Sequence, residues 1–521
     1  MKREHTAVAT RPRPRAEQQG YAPYPAGTIP ALADLLDELA RQEIRYCHWK
    51  SNEHLAAGLA GLTDLDLLVG VGDAERLRAV LREKGLRQLT PPPTKDFPGM
   101  QHFLGLDHDS GRLYHLHIHG QLVLGEEDVK NHRLPLERRF LESARPLDGV
   151  PVPPPALELA VLAVRALLKY RDRDVVKDVF GIRSPGLRDA IRAELDWLMD
   201  RATVDEVRAT LQEVGVVPSE VVVRFLETYQ REPRAGTTFF LLRSRLRSSL
   251  RGVRRHGWTS TRARRLAVRW RRRGSPDRMA PAGGGRTIAL VGADGSGKST
   301  VSRELARWLG WKLDVRVHYL GSKNPSRRSH WSYLAFRALR RSHRAARGKF
   351  GPDSATAGAL ATARDAALGL HHLAVGHDRA RLLRVGRRDA RAGRVVIFDR
   401  FPLAALSSRP EHLVLDGPRI RTALGEPLGR LTRWLASREE ALYLTFGLPD
   451  HLVVLHVSAD VAAGRKPDHP PVVLAAKAQA ADELAELAEG SDAGIGPIHV
   501  DADRPLDAVL LDLKRSIWDV L

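Results

Sequence analysis

A chain of 521 residues is too long for one hydrophobic core, because such cores stop growing near about 250–300 residues, and roughly two to four domains are expected. Hydrophobic residues at 43% and charged residues at 28% exclude a disordered or fibrous chain, and a single cysteine, Cys47, excludes both an internal disulfide and a cysteine-based zinc knuckle. The formal net charge of +21 suits an anionic partner such as nucleotide, nucleic acid or anionic lipid, although arginine beside abundant alanine is also what a GC-rich genome encodes.

Residues 1–25 hold Arg-Pro-Arg-Pro-Arg and Tyr-Ala-Pro-Tyr-Pro, which cannot pack a core and read as a disordered basic arm. No apolar secretory region follows the basic start, and the longest apolar run, from Leu157 to Leu168, is broken by Glu158 and Arg165. It falls short of the roughly 20 apolar residues of a membrane span, so no transmembrane segment and a cytoplasmic location are expected. Apolar spacing predicts a helix over 29–39, a strand over 46–49 and a helix near Leu55. Residues 64–69 alternate acid and apolar side chains as a half-buried strand does, and a helix over 74–84 follows. Strands over 101–106 and 112–119 flank Asp109-Ser-Gly111, a hairpin turn. These elements make a small α+β domain over 26–150, bounded by Pro151, Pro153, Pro154 and Pro155.

Residues 151–242 carry helical periodicity with almost no strand signal and read as a helical connector domain. An arginine-rich segment and linker occupy 243–285. Between Arg243 and Arg273 stand thirteen arginines and no acid, with Trp258 and Trp270 interleaved. That composition suits a phosphate-binding or membrane-surface segment, or else a solvated basic helix pair.

Thr287-Ile-Ala-Leu-Val291 suits a buried parallel strand, and it runs into Gly292-Ala-Asp-Gly-Ser-Gly-Lys-Ser-Thr300, with helical spacing from Val301 to Leu309. This is G-x-x-x-x-G-K-[ST] between a strand and a helix, the arrangement in which a loop cradles phosphate oxygens. Gly292, Gly295, Ser296 and Gly297 let main-chain N–H groups converge on phosphate, with the helix N-terminus behind them. Lys298 is expected to span the β- and γ-phosphates, Ser299 to ligate magnesium and Thr300 to complete the cradle. A second strand over 394–398 ends in Asp399-Arg400-Phe401. An acid at the C-terminal end of a buried strand faces the ligand crevice of an α/β sheet, where Asp399 can reach metal or acceptor and Arg400 can clamp a phosphate.

Gly-x-Asp-Gly-x-Gly-Lys-Ser-Thr, then Asp-Arg-Phe after a hydrophobic strand, then the run from Pro449 to Lys466, resemble the ordered landmarks of the thymidylate kinase family over residues 286–521. The resemblance implies a parallel P-loop sheet flanked by helices and an ATP- and Mg2+-dependent phosphotransferase. It makes Asp294 the acid inside the loop, gives the acceptor to Asp399 and Arg400, and sets Arg465, Lys466 and Lys477 in or beside a mobile lid. The chain departs from the family after the strand over 315–320. There Gly321-Ser-Lys stands where the family carries Phe-x-Arg-Glu-Pro, and residues 327–393 form a long arginine-rich helical stretch, so the acceptor need not be thymidine monophosphate.

In the N-terminal domain, Lys50-Ser-Asn-Glu precedes Asp64-Leu-Asp66 by about a dozen residues. Residues two apart on a strand share a face, so Asp64 and Asp66 could hold magnesium together. The arrangement resembles a nucleotidyltransferase fold. It departs from that fold in Lys50-Ser51, where a Gly-Ser or Gly-Gly turn is preferred, and in His117, which stands where a third acid is wanted. His115, His117 and His119 share a strand face and could join the two acids in a metal cluster.

The leading expectation is a kinase that moves the γ-phosphoryl of ATP to a nucleoside monophosphate or related small phosphorylated acceptor. One alternative is nucleotidyl transfer by the N-terminal domain. Another is an ATP-gated module that docks to an anionic surface through the segment from Arg243 to Arg273. A homodimer is one admissible state.

Overall fold

The computed structural model describes residues 24–125, 129–170, 187–233, 236–271, 273, 275–321, 326–404, 406–407, 409, 412–490 and 496–521. Most of the expected basic arm, and Ser322 and Lys323 of the departing segment, lie outside these residues. The chain divides into two compact units with the boundary after Arg273. Among the described residues no helix is long and apolar enough to cross a membrane.

The first unit opens with helix α1 (Pro30–Arg41), whose buried Leu32, Leu35, Leu36 and Leu39 recur at helical spacing. Strands β1 (Tyr46–His48), β2 (Leu65–Val69), β3 (Arg87–Thr90), β4 (Met100–Asp107) and β5 (Arg112–His119) follow, with α2 (Leu55–Leu59) and α3 (Ala74–Glu83) between them. They form a sheet in the order β1-β2-β5-β4-β3. The β2–β5 pair is parallel and the β4–β5 pair is the hairpin that turns through Asp109-Ser-Gly111. Apolar residues of one sheet face, Leu65, Leu67, Leu116 and Ile118, pack with the leucines of α1 and α3.

β2 is buried along its whole length, where the sequence predicts a half-buried strand. The physical reason is a second layer over its acid-bearing face. Leu68, Trp49, Leu122 and Phe140, the last on α4 (Glu137–Ser143), share one core with helices α5 (Pro155–Lys169), α6 (Asp189–Met199), α7 (Val204–Val214), α8 (Ser219–Arg231) and α9 (Gly236–Ser249). The core therefore runs unbroken past the prolines at 151–155, and Pro155 starts α5 at a position where the missing N–H costs nothing. Thr203-Val-Asp-Glu206 closes a reciprocal capping box at the start of α7.

The second unit holds five parallel strands: β6 (Thr287–Gly292), β7 (Val315–Tyr319), β8 (Val395–Asp399), β9 (His451–His456) and β10 (Ile498–Asp501), in the order β7-β8-β6-β9-β10. All of β6 and β8 is buried, as strands covered on both faces must be. Helix α10 (Lys298–Leu309) leaves β6, and the long arginine-rich stretch folds as α11 (Arg327–Phe350) and α12 (Ala355–Arg391). Gly386 lets α12 lie against the sheet, since a Cβ there would stand 2.5 Å from the Phe398 ring. Helices α13 (Arg430–Leu444), α14 (Ala459–Arg465) and α15 (Pro471–Glu489) complete the surroundings of the β6 and β8 ends. This is a mixed α/β architecture with helices beside a parallel sheet.

Candidate functional site

The loop from Gly292 to Gly297 leaves the C-terminal end of β6, the central strand. Gly292, Gly295 and Gly297 have φ of +149°, +94° and +88°, which side-chain-bearing residues rarely adopt. A Cβ on Gly292 would also lie 2.5 Å from the Leu455 carbonyl oxygen. Gly292→Ala is therefore expected to destabilise the protein by about 1–3 kcal/mol through backbone strain, read as a lower thermal midpoint. An unshifted midpoint would show that the loop conformation is not imposed by its neighbours.

Lys298 begins α10 and turns back over this loop. Its Nζ donates to Gly292 O at 2.8 Å, Ala293 O at 2.6 Å and Ser296 Oγ at 3.3 Å. Burial, with Arg400 adding repulsion, lowers its ammonium to about 8. Ser299 Oγ donates to Asp399 Oδ2 at 2.7 Å across the gap between α10 and β8, and Thr300 follows in the same first helical turn. Asp399 is buried, and its Oδ1 has no hydrogen-bond partner. Such an orphaned oxygen costs about 1–3 kcal/mol or more. A hydroxyl and a carboxylate with spare acceptor capacity form the hard oxygen donor set that magnesium takes, so the residues present fit that ion.

Arg400, at φ +68°, holds a strained backbone at the β8 end. Its guanidinium donates to Asp294 Oδ1 at 2.9 Å and to Asp416 Oδ2 at 3.4 Å. Lys477, on α15, donates to Asp294 Oδ2 at 2.5 Å. Burial would raise the Asp294 carboxyl, but Lys477 and Arg400 outweigh it and hold the group well below the usual carboxylate range. Burial would likewise lower Arg400, yet Asp416 and Asp294 hold its guanidinium above the ordinary value. Behind Asp416 stands Arg379, only 4% exposed. It donates to Leu320 O at 2.7 Å, Asp416 O at 2.6 Å and the Tyr443 hydroxyl at 2.6 Å.

The structure thus brings together Asp294, Ser296, Lys298, Ser299, Asp399, Arg400 and Lys477. Arg465 ends α14 beside them, donating to Gly295 O at 3.3 Å and Ala502 O at 3.0 Å. Lys466, the next residue, is exposed at the helix end. Sequence reasoning missed Arg379 and Tyr443, because one buried arginine in an arginine-rich helix carries no distinguishing pattern.

In the first unit, Asp64 and Asp66 meet the histidine stripe of β5. His115 Nδ1 lies 2.9 Å from Asp64 Oδ1, and His117 lies between both acids, with Nε2 3.4 Å from Asp64 Oδ2 and Nδ1 3.1 Å from Asp66 Oδ1. His119 Nε2 and Lys50 Nζ also reach Asp66 Oδ1, at 3.0 and 2.9 Å. Burial opposes the charge on Asp66, but Lys50 and the histidines hold its carboxyl well below the ordinary value. His102 on β4, opposite His117, joins them, and no local pattern in the sequence marks it. The Lys50-Ser51-Asn52 turn is held by carboxylates from the helical layer. Glu194 accepts from Ser51 N at 3.1 Å, and Glu158, raised by burial to about 8, accepts from Asn52 Nδ2 at 2.6 Å. The Ser51 amide and the Asn52 side-chain amide are thereby already engaged within the protein.

The arginine-rich stretch forms the C-terminal half of α9 and a helix spanning Trp258–Arg271. Arg247, Arg262 and Arg265, with Arg254, line a cavity of about 400 Å³ beside Asn131 and His132.

A parallel α/β sheet whose central strand ends in a glycine loop, with an acid on the adjacent strand end, describes the second unit. No family model matches the chain. Two curated proteins are similar to it, both named "Uncharacterized ATP-binding protein YghR", from Escherichia coli strain K12 and Escherichia coli O6:H1 strain CFT073. Each is 26% identical over 232 residues, which is 44% of this chain and 86% of the relative.

Proposed function

We propose that residues 286–521 bind ATP with magnesium over the loop from Gly292 to Thr300 and transfer its γ-phosphoryl group to a small acceptor, a nucleoside monophosphate or a related phosphorylated molecule. The observation that carries this reading is the Ser299–Asp399 contact with the orphaned Asp399 oxygen beside it, next to a loop whose glycines hold positive φ. The name of the E. coli relatives supports the same nucleotide.

In this reading Lys298 exchanges the loop carbonyls for the β- and γ-phosphates, and the first amides of α10 face the phosphate chain. Ser299 and Asp399 would hold the magnesium ion, which would supply charge neutralisation at the phosphates. Asp399 also lies where it can orient an acceptor hydroxyl. Arg400, fixed between Asp294 and Asp416, presents a preorganised cation to charge that develops during transfer. Lys477 and Arg465 flank the loop from α15 and α14 and add positive potential. Loss of one charged metal ligand should separate the roles. Asp399→Asn is expected to weaken ATP affinity about tenfold or more, roughly 1.4 kcal/mol, in magnesium, and to leave affinity in chelator nearly unchanged. Equal affinities of variant and wild type in both conditions would count against the assignment. Incubation with γ- and α-labelled ATP and a panel of nucleoside monophosphates, nucleosides and sugar phosphates identifies the acceptor. Label passed from the α-phosphate would instead favour nucleotidyl transfer.

A further inference from the structure

The first unit carries a cluster of groups that the phosphoryl-transfer reading does not use. His102 is 1% exposed, and neither ring nitrogen has a hydrogen-bond partner. A neutral imidazole has one N–H and one lone pair, and leaving both unmade in a core costs about 1–3 kcal/mol for each group. Its ring stacks on His115 with centroids 5.5 Å apart and meets His117 edge-on at 4.7 Å. One nitrogen from each of His102, His115 and His117 lies within 4.8 Å of the others. Asp64 closes the group from the more exposed side, touching both His115 and His117.

The tautomers sharpen the point. If His117 Nδ1–H donates to Asp66, its Nε2 presents a lone pair toward Asp64 Oδ2 at 3.4 Å, and two lone pairs would then face each other. A second proton on His117, a proton on Asp64 or a cation between them removes that conflict. For metal–nitrogen and metal–oxygen bonds of about 2.0–2.2 Å, neighbouring ligand atoms in a tetrahedral shell stand about 3.3–3.6 Å apart, so the Asp64–His117 spacing already fits one edge. Carboxylates that orient a ligating imidazole from behind are the usual supporting arrangement of such sites, and Asp66, fixed by Lys50 and His119, stands in that place.

We infer that His102, His115, His117 and Asp64 form a site for one divalent transition-metal ion of the zinc type, with Asp66 orienting His117. Three imidazoles and one carboxylate favour zinc-like ions over magnesium, whose ligands are oxygen. The histidines sit on β4 and β5 within a buried sheet and Asp64 stands just before β2, so they need little rearrangement to close on the ion.

The test uses the full chain without a histidine tag, stripped with chelator and titrated with Zn2+, and with Co2+ read by its visible absorption. About one ion per chain is expected, with Co2+ bands of a four-coordinate site. His102→Gln and His117→Gln should each abolish those bands. Asp66→Asn should weaken Zn2+ binding about 10- to 100-fold. Circular dichroism and the thermal midpoint of each metal-free variant establish that it folds. If His102→Gln fails that check, the His117→Gln and Asp66→Asn results decide. A His456→Gln/His499→Gln double variant, which removes the exposed pair on the second unit's sheet, should keep the full stoichiometry. The proposal is overturned if the folded wild-type chain binds neither ion above the level of a folded His102→Gln/His117→Gln variant. It is equally overturned if stoichiometry follows the His456–His499 pair instead.

Discussion

Lys298→Ala is expected to lower kcat/KM for ATP-dependent phosphoryl transfer by about 10²–10³-fold, the usual cost of removing one preorganised group that meets developing charge. The ammonium sits inside the curl of the loop on two carbonyl oxygens and the Ser296 hydroxyl. Removing it takes away a cation that lies within the curl of the loop itself. The same group gives the site a pH signature. Its pKa is lowered by burial from 10.5 to about 8, so the folded, nucleotide-free chain loses this proton as pH rises through about 8. Between that value and 10.5 the unfolded chain holds more protons than the folded one, and this residue's contribution to stability therefore rises with pH across the window. Nucleotide binding should run the other way. A triphosphate favours the charged lysine, so affinity should fall above pH 8 and binding should take up a proton there. Calorimetric titrations in buffers of different ionisation enthalpy read that uptake directly. Proton release, or no exchange, would place the lysine outside the binding step.

Arg379→Met should cost about 3–5 kcal/mol of stability, because breaking a buried charge pair from one side strands the other. Arg379 satisfies the carbonyl after β7, the carbonyl of Asp416 and the Tyr443 hydroxyl, with its remaining nitrogen 3.3 Å from Asp416 Oδ1. Methionine fills much of the volume but none of these bonds. Asp416 would then lean on Arg400 alone, and Arg400 would be less firmly held toward Asp294. Arg379→Lys should recover only part of the loss, since a point-like ammonium cannot reach four acceptors arranged around a planar fork. Chemical denaturation measures the first effect, and the KM-against-kcat split of the same variants reads the displacement of Arg400. A variant as stable as the wild type would show that this arginine is solvated rather than structural.

The parts of the site legible in sequence are those where the backbone or a short-range pattern dictates residue type. Gly292, Gly295 and Gly297 are readable because their positive φ excludes most side chains, and Asp399 because it ends an unbroken apolar strand. The pairing of Asp64 and Asp66 with the histidines of β5 follows from a period of two on parallel neighbours. What was not legible depends on long-range packing. β2 reads as half-buried because its acids look solvent-facing, whereas helices contributed by residues far along the chain cover that face. His102 lies in a strand with no other histidine, and only the β4–β5 register sets it against His117. Arg379 resembles the exposed arginines around it on α12 until Asp416 and Tyr443 are folded against it.

The central claim is tested most directly by a crystal structure of the full chain with magnesium and a non-hydrolysable ATP analogue. The phosphates should lie along the amides of residues 292–300, with Lys298 Nζ moved from the Gly292 and Ala293 carbonyls to the phosphate chain and a metal bound between Ser299 and Asp399. A nucleotide seated elsewhere, with Lys298 still closed on its own loop, would contradict the account.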